Sequence, residues 1–274
     1  MTNYMANSLR AKTGCIKILS IDKPQLYKEN RMGVGKLSIA VAAVIALAAG
    51  PVMSGTISGV VKIDAKKIPP VKALKMDSDP DCVAKHTEPH MSERYVVDAD
   101  NNVKNVFVYI KTGLEGQTFE SPKRPAELDQ VGCAYSPRVL GLMVGQPLRV
   151  LNSDRLLHNV HMTPKVNEEF NKAMPARVRK MPVPGKVFSQ PEVMVPFKCD
   201  VHPWMKAYIG VLPHPFFGVS AADGSFTIED VPPGKYTVEA WHEFFTGQVQ
   251  EIEVAEGAVT VNFGLKPPSR KKKK

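Results

Sequence analysis

The sequence predicts an all-β protein built from two β-sandwiches, a larger one and a second, smaller one. Beyond Gly55, no long run shows the 3.6-residue apolar period of an amphipathic helix. Short alternating runs of apolar and polar residues recur instead, bounded by Gly, Pro, Asn or Asp. Residues 222–225 (ADGS) and 231–235 (VPPGK) have the composition of tight turns between strands.

The predicted strands follow one another along the body of the chain, and each is rich in β-branched, aliphatic or aromatic residues. Residues 165–190, rich in Lys, Pro and Asn, predict a long surface loop. The strands are predicted at Thr56–Ile63, Val106–Lys111, Leu140–Val144, Leu148–Asn152, Val193–Cys199, Ala207–Val211, Ser225–Ile228, Tyr236–Trp241, Gln248–Val254 and Ala258–Phe263.

A boundary near Phe217 divides the body of the chain, because the segment after it has its own regular strand rhythm. The apolar content of 43% is enough for the chain to bury a core. The predicted parts are a leader (1–54), a larger domain (55–217, core about 131–213), a smaller domain (218–266) and a basic tail (267–274). Whether the strand 55–63 also belongs to the smaller domain is left open.

The formal charge of +9 is concentrated at the two ends of the chain. Residues 1–54 carry an excess of Lys and Arg, and residues 270–274 are all basic, which leaves the body close to neutral. A basic face for nucleic acid is therefore not predicted, and no nucleic-acid partner is expected.

Residues 37–50 (LSIAVAAVIALAAG) form an apolar run of 14 residues that follows Arg31 and Lys36. This pattern predicts the central region of a signal peptide. An uncleaved membrane anchor stays open as an alternative, although a span needs roughly 20 apolar residues. Both interpretations predict a periplasmic or otherwise exported protein, with Met1 and Met32 both open as the start.

Three cysteines remain once Cys15 is assigned to the leader, and an odd number in an oxidising compartment needs an explanation. One explanation pairs Cys82 with Cys133 in a disulfide and keeps Cys199 as a metal thiolate. The spacing alone does not select it. The alternative is a second metal site from Cys82, His86 and His90, although Pro89 disfavours the regular helix that would align them.

Two segments carry a candidate set of metal ligands. Residues 198–205 (KCDVHPWM) contain Cys199, His202 and Met205 at three-residue intervals, and residues 152–161 (NSDRLLHNVH) add His158 after a predicted strand. Thiolate and thioether suit Cu(I), whereas imidazole serves both oxidation states, so the set points to copper.

These two segments together resemble the cupredoxins, most closely those of the amicyanin type, whose ligand loop is similarly short. The resemblance implies a Greek-key β-sandwich with one type 1 copper. It also implies that His158, Cys199 and His202 are the equatorial ligands and Met205 the axial one. Asn159 would tie the two ligand loops together through hydrogen bonds.

The residues that flank Cys199 indicate which class of copper protein the chain resembles. Multicopper oxidases have His on both sides of this Cys and copper nitrite reductases have His before it, whereas this chain has Lys198 and Asp200. The resemblance therefore implies one-electron transfer with a redox partner protein, such as a cytochrome c or a membrane oxidoreductase. It implies no enzymatic activity and no small-molecule substrate. Copper storage or delivery, and a non-catalytic binding or scaffolding module, are the alternatives.

A cluster of Pro and aromatic residues lies near the proposed boundary. It has two interpretations, a docking patch around His202 or packing between the two domains. Its members are Pro203, Trp204, Pro213, Phe216 and Phe217.

The smaller sandwich has its own resemblance. Residues 219–228 (VSAADGSFTI) and 231–238 (VPPGKYTV) resemble the carboxypeptidase regulatory-like, transthyretin-type sandwich, which usually has no catalysis of its own. Residues 55–61 (GTISGVV) resemble the first strand of the same module. The larger unit would then be inserted into the smaller one, and His242 is expected on the surface of that sandwich.

Overall fold

The computed structural model describes residues 54–65 and 68–268, and nearly all of their regular structure is β-strand. The all-β prediction is confirmed. No helix among these residues is long and apolar enough to cross a membrane. The predicted signal segment 37–50 and the basic residues 270–274 lie outside the described part of the chain.

The strands are β1 (Gly55–Ile63), β2 (Phe107–Thr112), β3 (Ala126–Val131), β4 (Ala134–Ser136), β5 (Val139–Met143), β6 (Leu148–Asn152), β7 (His158–Met162), β8 (Phe170–Met174), β9 (Lys180–Val183), β10 (Glu192–Lys198), β11 (Lys206–Leu212), β12 (Phe217–Val219), β13 (Ser225–Val231), β14 (Gly234–Trp241), β15 (Gln248–Val254), β16 (Gly257–Thr260) and β17 (Phe263–Leu265). A short helix, α1 (Pro80–Val83), and a 3₁₀ turn (Gly185–Val187) accompany them.

Two sheets form the larger sandwich around one apolar core. One sheet has the order β5-β11-β10-β7-β8, and the other has the order β4-β3-β6-β9. Side chains alternate between core and the outer face along β6, so that Leu148, Val150 and Asn152 all point inward. The central buried apolar side chains come from both sheets and include Leu128, Leu142, Val160, Phe197 and Ile209.

The surface loop predicted over residues 165–190 contains two strands, which corrects that prediction. Strand β8 pairs with β7, and β9 pairs with β6. Each lies at the edge of its sheet, so most of its side chains face solvent and only one residue of each strand, Met174 and Val183, is fully buried. Edge strands of this kind have too few apolar residues to show the alternation that identifies a strand.

The smaller sandwich combines strands from both ends of the described chain. Strand β1 pairs with β13, β16 and β17, while the second sheet has the order β12-β2-β14-β15. Strands β1 and β2 precede the larger sandwich in sequence, and the remaining strands of the smaller sandwich follow it. The larger sandwich is therefore an insertion in the smaller one. The boundary predicted near Phe217 groups residues 107–112 with the larger domain, whereas β2 pairs within the smaller sandwich.

A small apolar cluster joins the two sandwiches, and Phe217 belongs to it. The Phe217 ring packs against that of Phe107, with 5.5 Å between centroids. Gly141 permits this approach, because a Cβ there would lie 2.2 Å from the Phe217 ring. Phe216 is buried in the core of the smaller sandwich. Phe216 and Phe217 therefore pack within the fold, as one of the two interpretations predicted, and do not form a docking patch around His202.

His242 is buried rather than exposed, which corrects the surface position expected for it. The residue is 5% exposed, and its ring stacks on Phe245 and accepts hydrogen bonds at Nδ1 from the backbone N–H groups of Phe244 and Phe245. Burial, together with the positive charge of Arg138, lowers the pKa of His242 to about 4. The folded protein therefore holds this imidazole neutral.

We expect His242 to make the protein less stable below neutral pH. The unfolded chain, with a His pKa near 6.5, binds the proton more readily than the folded chain between pH 6.5 and 4. Stability from this residue is complete above pH 6.5 and falls by about 2 kcal/mol at pH 5. Urea unfolding of the metal-free protein at pH 7.5 and pH 5 measures this loss. His242→Asn, which keeps an acceptor for the two N–H groups, should lose about 2 kcal/mol less than the wild type; equal losses would contradict the assignment.

Candidate metal centre

A short polar loop between β6 and β7 places His158 at the start of β7. The Asn152 side chain accepts a hydrogen bond from the Arg155 backbone N–H (3.1 Å) and donates one to the Leu156 carbonyl oxygen (2.8 Å). These bonds fold the chain back on itself, as Asn side chains often do in turns. Strand β7 then pairs with β8 and β10, and His158 is completely buried.

The loop 199–205 joins β10 to β11 and carries the other three predicted ligands. Lys198 and Lys206 are the last paired residues of the two strands. Within the loop, the Cys199 N–H donates to the Met205 carbonyl (3.3 Å), and the Met205 N–H donates to the His202 carbonyl (2.9 Å). Cys199, His202 and Met205 are all buried as a result.

Three donor atoms from the two loops converge. The Nδ1 atoms of His158 and His202 are 2.9 Å apart, and Cys199 Sγ lies 3.8 Å from His202 Nδ1. The three donor atoms all lie within 4.8 Å of one another. Two nitrogens that bind one ion at about 2 Å can be at most about 4 Å apart, so the separation fits a shared metal ion.

Met205 completes the donor set predicted from the sequence. Its side chain belongs to the same buried apolar cluster as Cys199. A thiolate, two imidazoles and a nearby thioether are the donors that copper accepts in electron-transfer sites. The chemistry of the residues therefore fits copper, while ligation by Met205 stays a prediction.

Each imidazole is oriented by a carboxylate on its far side. His158 Nε2 lies 3.0 Å from Asp154 Oδ2, and His202 Nε2 lies 2.8 Å from Asp79 Oδ2. A carboxylate at Nε2 leaves Nδ1 free to face the other donors and increases the basicity of the ring. Asp154 also accepts the backbone N–H groups of Gly132 (2.6 Å) and Cys133 (2.8 Å).

The electrostatics of the centre follow from these contacts. Burial lowers the pKa of His158, but hydrogen bonds with Asp154 and Cys199 outweigh it and raise that pKa to about 9. Burial raises the pKa of Cys199, yet the hydrogen bonds from His158 and the Asn159 N–H lower it overall. The hydrogen bond from His202 lowers the pKa of Asp79. A metal ion bound here would take the place of protons.

Asn159 links the two ligand loops, as the resemblance implied. Its backbone N–H points at Cys199 Sγ (3.4 Å), and its side-chain oxygen accepts the Asp200 N–H. Its amide nitrogen donates to Asp200 Oδ2 (3.1 Å). Tyr135 donates to the Asn159 carbonyl oxygen (2.6 Å), and burial raises the pKa of this phenol.

The disulfide considered in the sequence analysis is present. Cys82, in α1, is bonded to Cys133, which lies at the tip of the β3–β4 hairpin. Gly132 and Cys133 both have positive φ, as two-residue hairpin turns of type I′ require. Cys82 is therefore not available as a ligand for a second metal site, and His86 instead contacts the Gly132 carbonyl oxygen (2.8 Å).

Sequence reasoning missed both carboxylates. Asp154 lies inside the segment that supplied His158, so an acidic residue four positions before a ligand was an available signal. Asp79 lies far upstream, and nothing in the sequence connects it to His202. His202 is 1% exposed, so its position does not support the interpretation of a docking patch around this residue.

Comparisons with known proteins bear on both sandwiches. A family model described as Polysaccharide lyase family 4, domain II matches residues 216–262. This differs from the carboxypeptidase regulatory-like family that the turn segments resemble. Turn residues follow from hairpin geometry and recur in unrelated sandwiches, so the turn segments by themselves do not identify the family. No curated protein matches the chain.

Several solved structures are similar to part of this chain. A Cu-containing nitrite reductase from Thermus scotoductus SA-01 is 22% identical (TM-score 0.29), over 35% of this chain and 24% of its own. A purple cupredoxin from Nitrosopumilus maritimus is 21% identical (TM-score 0.26), over 31% and 98%. A Cu(I) amicyanin mutant is 20% identical (TM-score 0.28), over 36% and 96%. This chain thus spans about a quarter of the nitrite reductase.

Proposed function

We propose that this chain is an exported copper protein that transfers single electrons through one type 1 centre. The ligands are His158, Cys199, His202 and Met205. The observation that carries the proposal is the convergence of one thiol and two imidazole nitrogens in a buried position. Copper, when bound, supplies a one-electron couple to such a donor set.

The surrounding residues suit this role because they hold the donors in one arrangement. Asp154 and Asp79 fix the two imidazoles, and the Asn159 N–H fixes the sulfur. Donors held by the fold do not need to move when an electron arrives or leaves. Tyr135 bonds the carbonyl oxygens of Asn159 and Lys198, and so clamps the two ligand strands together.

The remaining parts of the proposal follow from the sequence. Export is supported by the apolar run at residues 37–50. The partner is a redox protein rather than a small-molecule substrate or a nucleic acid, and the chain itself is not an enzyme. Lys198 and Asp200 support the last point, since oxidase-type and nitrite-reductase-type centres have His at one or both of these positions.

Titration of the purified protein with Cu(II) tests the proposal. We expect one copper per chain, an intense thiolate-to-copper band in the visible spectrum and a narrow hyperfine splitting in the paramagnetic resonance spectrum. Cys199→Ser should lose the band entirely, because Cys199 is the free cysteine of the described chain. His90→Ala removes an imidazole outside the centre and should leave the spectrum unchanged. A colourless complex, or a band that survives Cys199→Ser, would refute the proposed centre.

A further inference from the structure

Residues 76–86, here called the cover segment, lie across the His202 side of the metal centre. They precede in sequence both loops that carry the predicted ligands, and they contain the short helix α1. Most of these residues are exposed, whereas Met76 and Cys82 are buried and Asp79 and His86 are half-buried. His202 is nevertheless buried, because the cover segment and Trp204 enclose its ring.

Four contacts fasten the cover segment to the loops around the centre. Asp79 bonds His202 Nε2 (2.8 Å), and the disulfide joins Cys82 to Cys133. Lys85 Nζ donates to the Asp154 carbonyl oxygen (2.9 Å), and His86 Nε2 contacts the Gly132 carbonyl oxygen (2.8 Å). The segment is thus attached to the ligand loop 199–205, to the loop before His158 and to the β3–β4 hairpin.

Asp79 has two tasks in this arrangement. It caps the N-terminus of α1 by accepting the backbone N–H groups of Asp81 (3.0 Å) and Cys82 (3.2 Å) through Oδ1. Through Oδ2 it accepts from His202 Nε2, which leaves Nδ1 directed at Cys199 and His158. The same carboxylate therefore holds the cover segment in shape and sets the direction of a predicted ligand.

We propose that the cover segment is a retaining element of the metal centre and that Asp79 is the positioning residue for His202. This inference rests on the proposed function. A copper ion can leave only if a ligand turns away, and turning His202 breaks its bond to Asp79 beneath a disulfide-anchored segment. Release of copper is therefore slow. The negative charge of Asp79 also favours Cu(II) over Cu(I), which lowers the reduction potential.

Three variants separate these effects. Asp79→Ala removes the acceptor, the helix cap and the charge. Asp79→Asn keeps an oxygen acceptor and a good N-cap but removes the charge. Asp81→Ala is the matched control, because it removes a neighbouring exposed carboxylate on the same helix.

In the copper-loaded protein, transfer of Cu(I) to an excess of a colorimetric chelator measures release. We expect Asp79→Ala to release copper at least about tenfold faster, with Asp79→Asn and Asp81→Ala close to wild type. Both Asp79 variants should raise the reduction potential, where a tenfold change in relative affinity for the two oxidation states equals about 59 mV. Wild-type release and potential in Asp79→Ala, or equal changes in Asp81→Ala, would overturn the inference.

A second measurement needs no copper. Carbethoxylation of His202 by diethylpyrocarbonate, followed by mass spectrometry of the metal-free protein, reports access to the ring. Modification should be slow in the wild type and in Asp79→Asn, but faster in Asp79→Ala and after reduction of the disulfide. If Asp79→Ala is modified as slowly as the wild type, the cover segment does not enclose His202. If the protein binds no copper, the proposed function is refuted. The rate of His202 modification still decides whether the cover segment encloses this residue.

Discussion

Asp154→Ala is expected to lower both the stability of the protein and its affinity for copper. The carboxylate is 4% exposed and accepts from Gly132 N–H, Cys133 N–H and His158 Nε2. Alanine leaves two buried donors, from Cys133 and His158, and the half-buried Gly132 N–H without a partner, at about 1–3 kcal/mol for each buried one, so we expect a loss of about 3 kcal/mol or more. Loss of the carboxylate behind His158 should weaken copper binding by about 10- to 100-fold.

Urea unfolding of the metal-free protein and competition titration with a Cu(II) chelator measure the two effects. Asp129→Ala is a suitable control, because Asp129 also bonds the loop after β6, through the Ser153 hydroxyl (2.7 Å) and N–H (3.2 Å), but is only half-buried. It should cost less than about 1 kcal/mol. If the two variants behaved alike, Asp154 would not be the residue that holds the hairpin and His158 together.

Removal of the Cys82–Cys133 disulfide should produce the other large loss of stability. The two cysteines are 51 residues apart, and the cross-link restricts the unfolded chain over that length. Chain-entropy arithmetic for a loop of this size gives about 4 kcal/mol. Cys82→Ser combined with Cys133→Ser should lower the free energy of unfolding by this order.

The measurement compares urea unfolding of the metal-free wild type, with and without a thiol reductant, to that of the double variant. The reduced wild type and the double variant should unfold at similar urea concentrations. Cys199→Ser is the control, because it removes a thiol but leaves the cross-link, so reductant should still destabilise it. If the wild type had the same free energy of unfolding with and without the reductant, the expected contribution of the disulfide to stability would be contradicted.

Much of the fold could be predicted from alternation alone. The predicted bounds of β6 and β15 are those observed, because more buried residues alternate with less buried ones over the whole length of each strand. Strands β8 and β9 were missed since edge strands carry mostly polar side chains. Strand β7 was missed because its first residues are a histidine and an asparagine that serve the centre rather than the apolar core.

The centre was predictable where its donors lie close together in sequence and unpredictable where they do not. Cys199 and His202 share one loop, and the structure brings His158 to them, as the paired segments indicated. The contribution of Asp79 depends on a disulfide between distant cysteines and on a segment with little apolar content. Such a contact follows from tertiary packing, which local spacing does not encode.

The larger sandwich is inserted into the smaller one at a single pair of neighbouring strands. Strands β2 and β12 are antiparallel neighbours, with Tyr109 opposite Phe217, so the chain leaves and returns at adjacent points. An inserted domain whose two ends lie close together imposes little strain on the domain that contains it. The larger sandwich is therefore expected to be exchangeable for another domain between β2 and β12 without loss of the smaller sandwich.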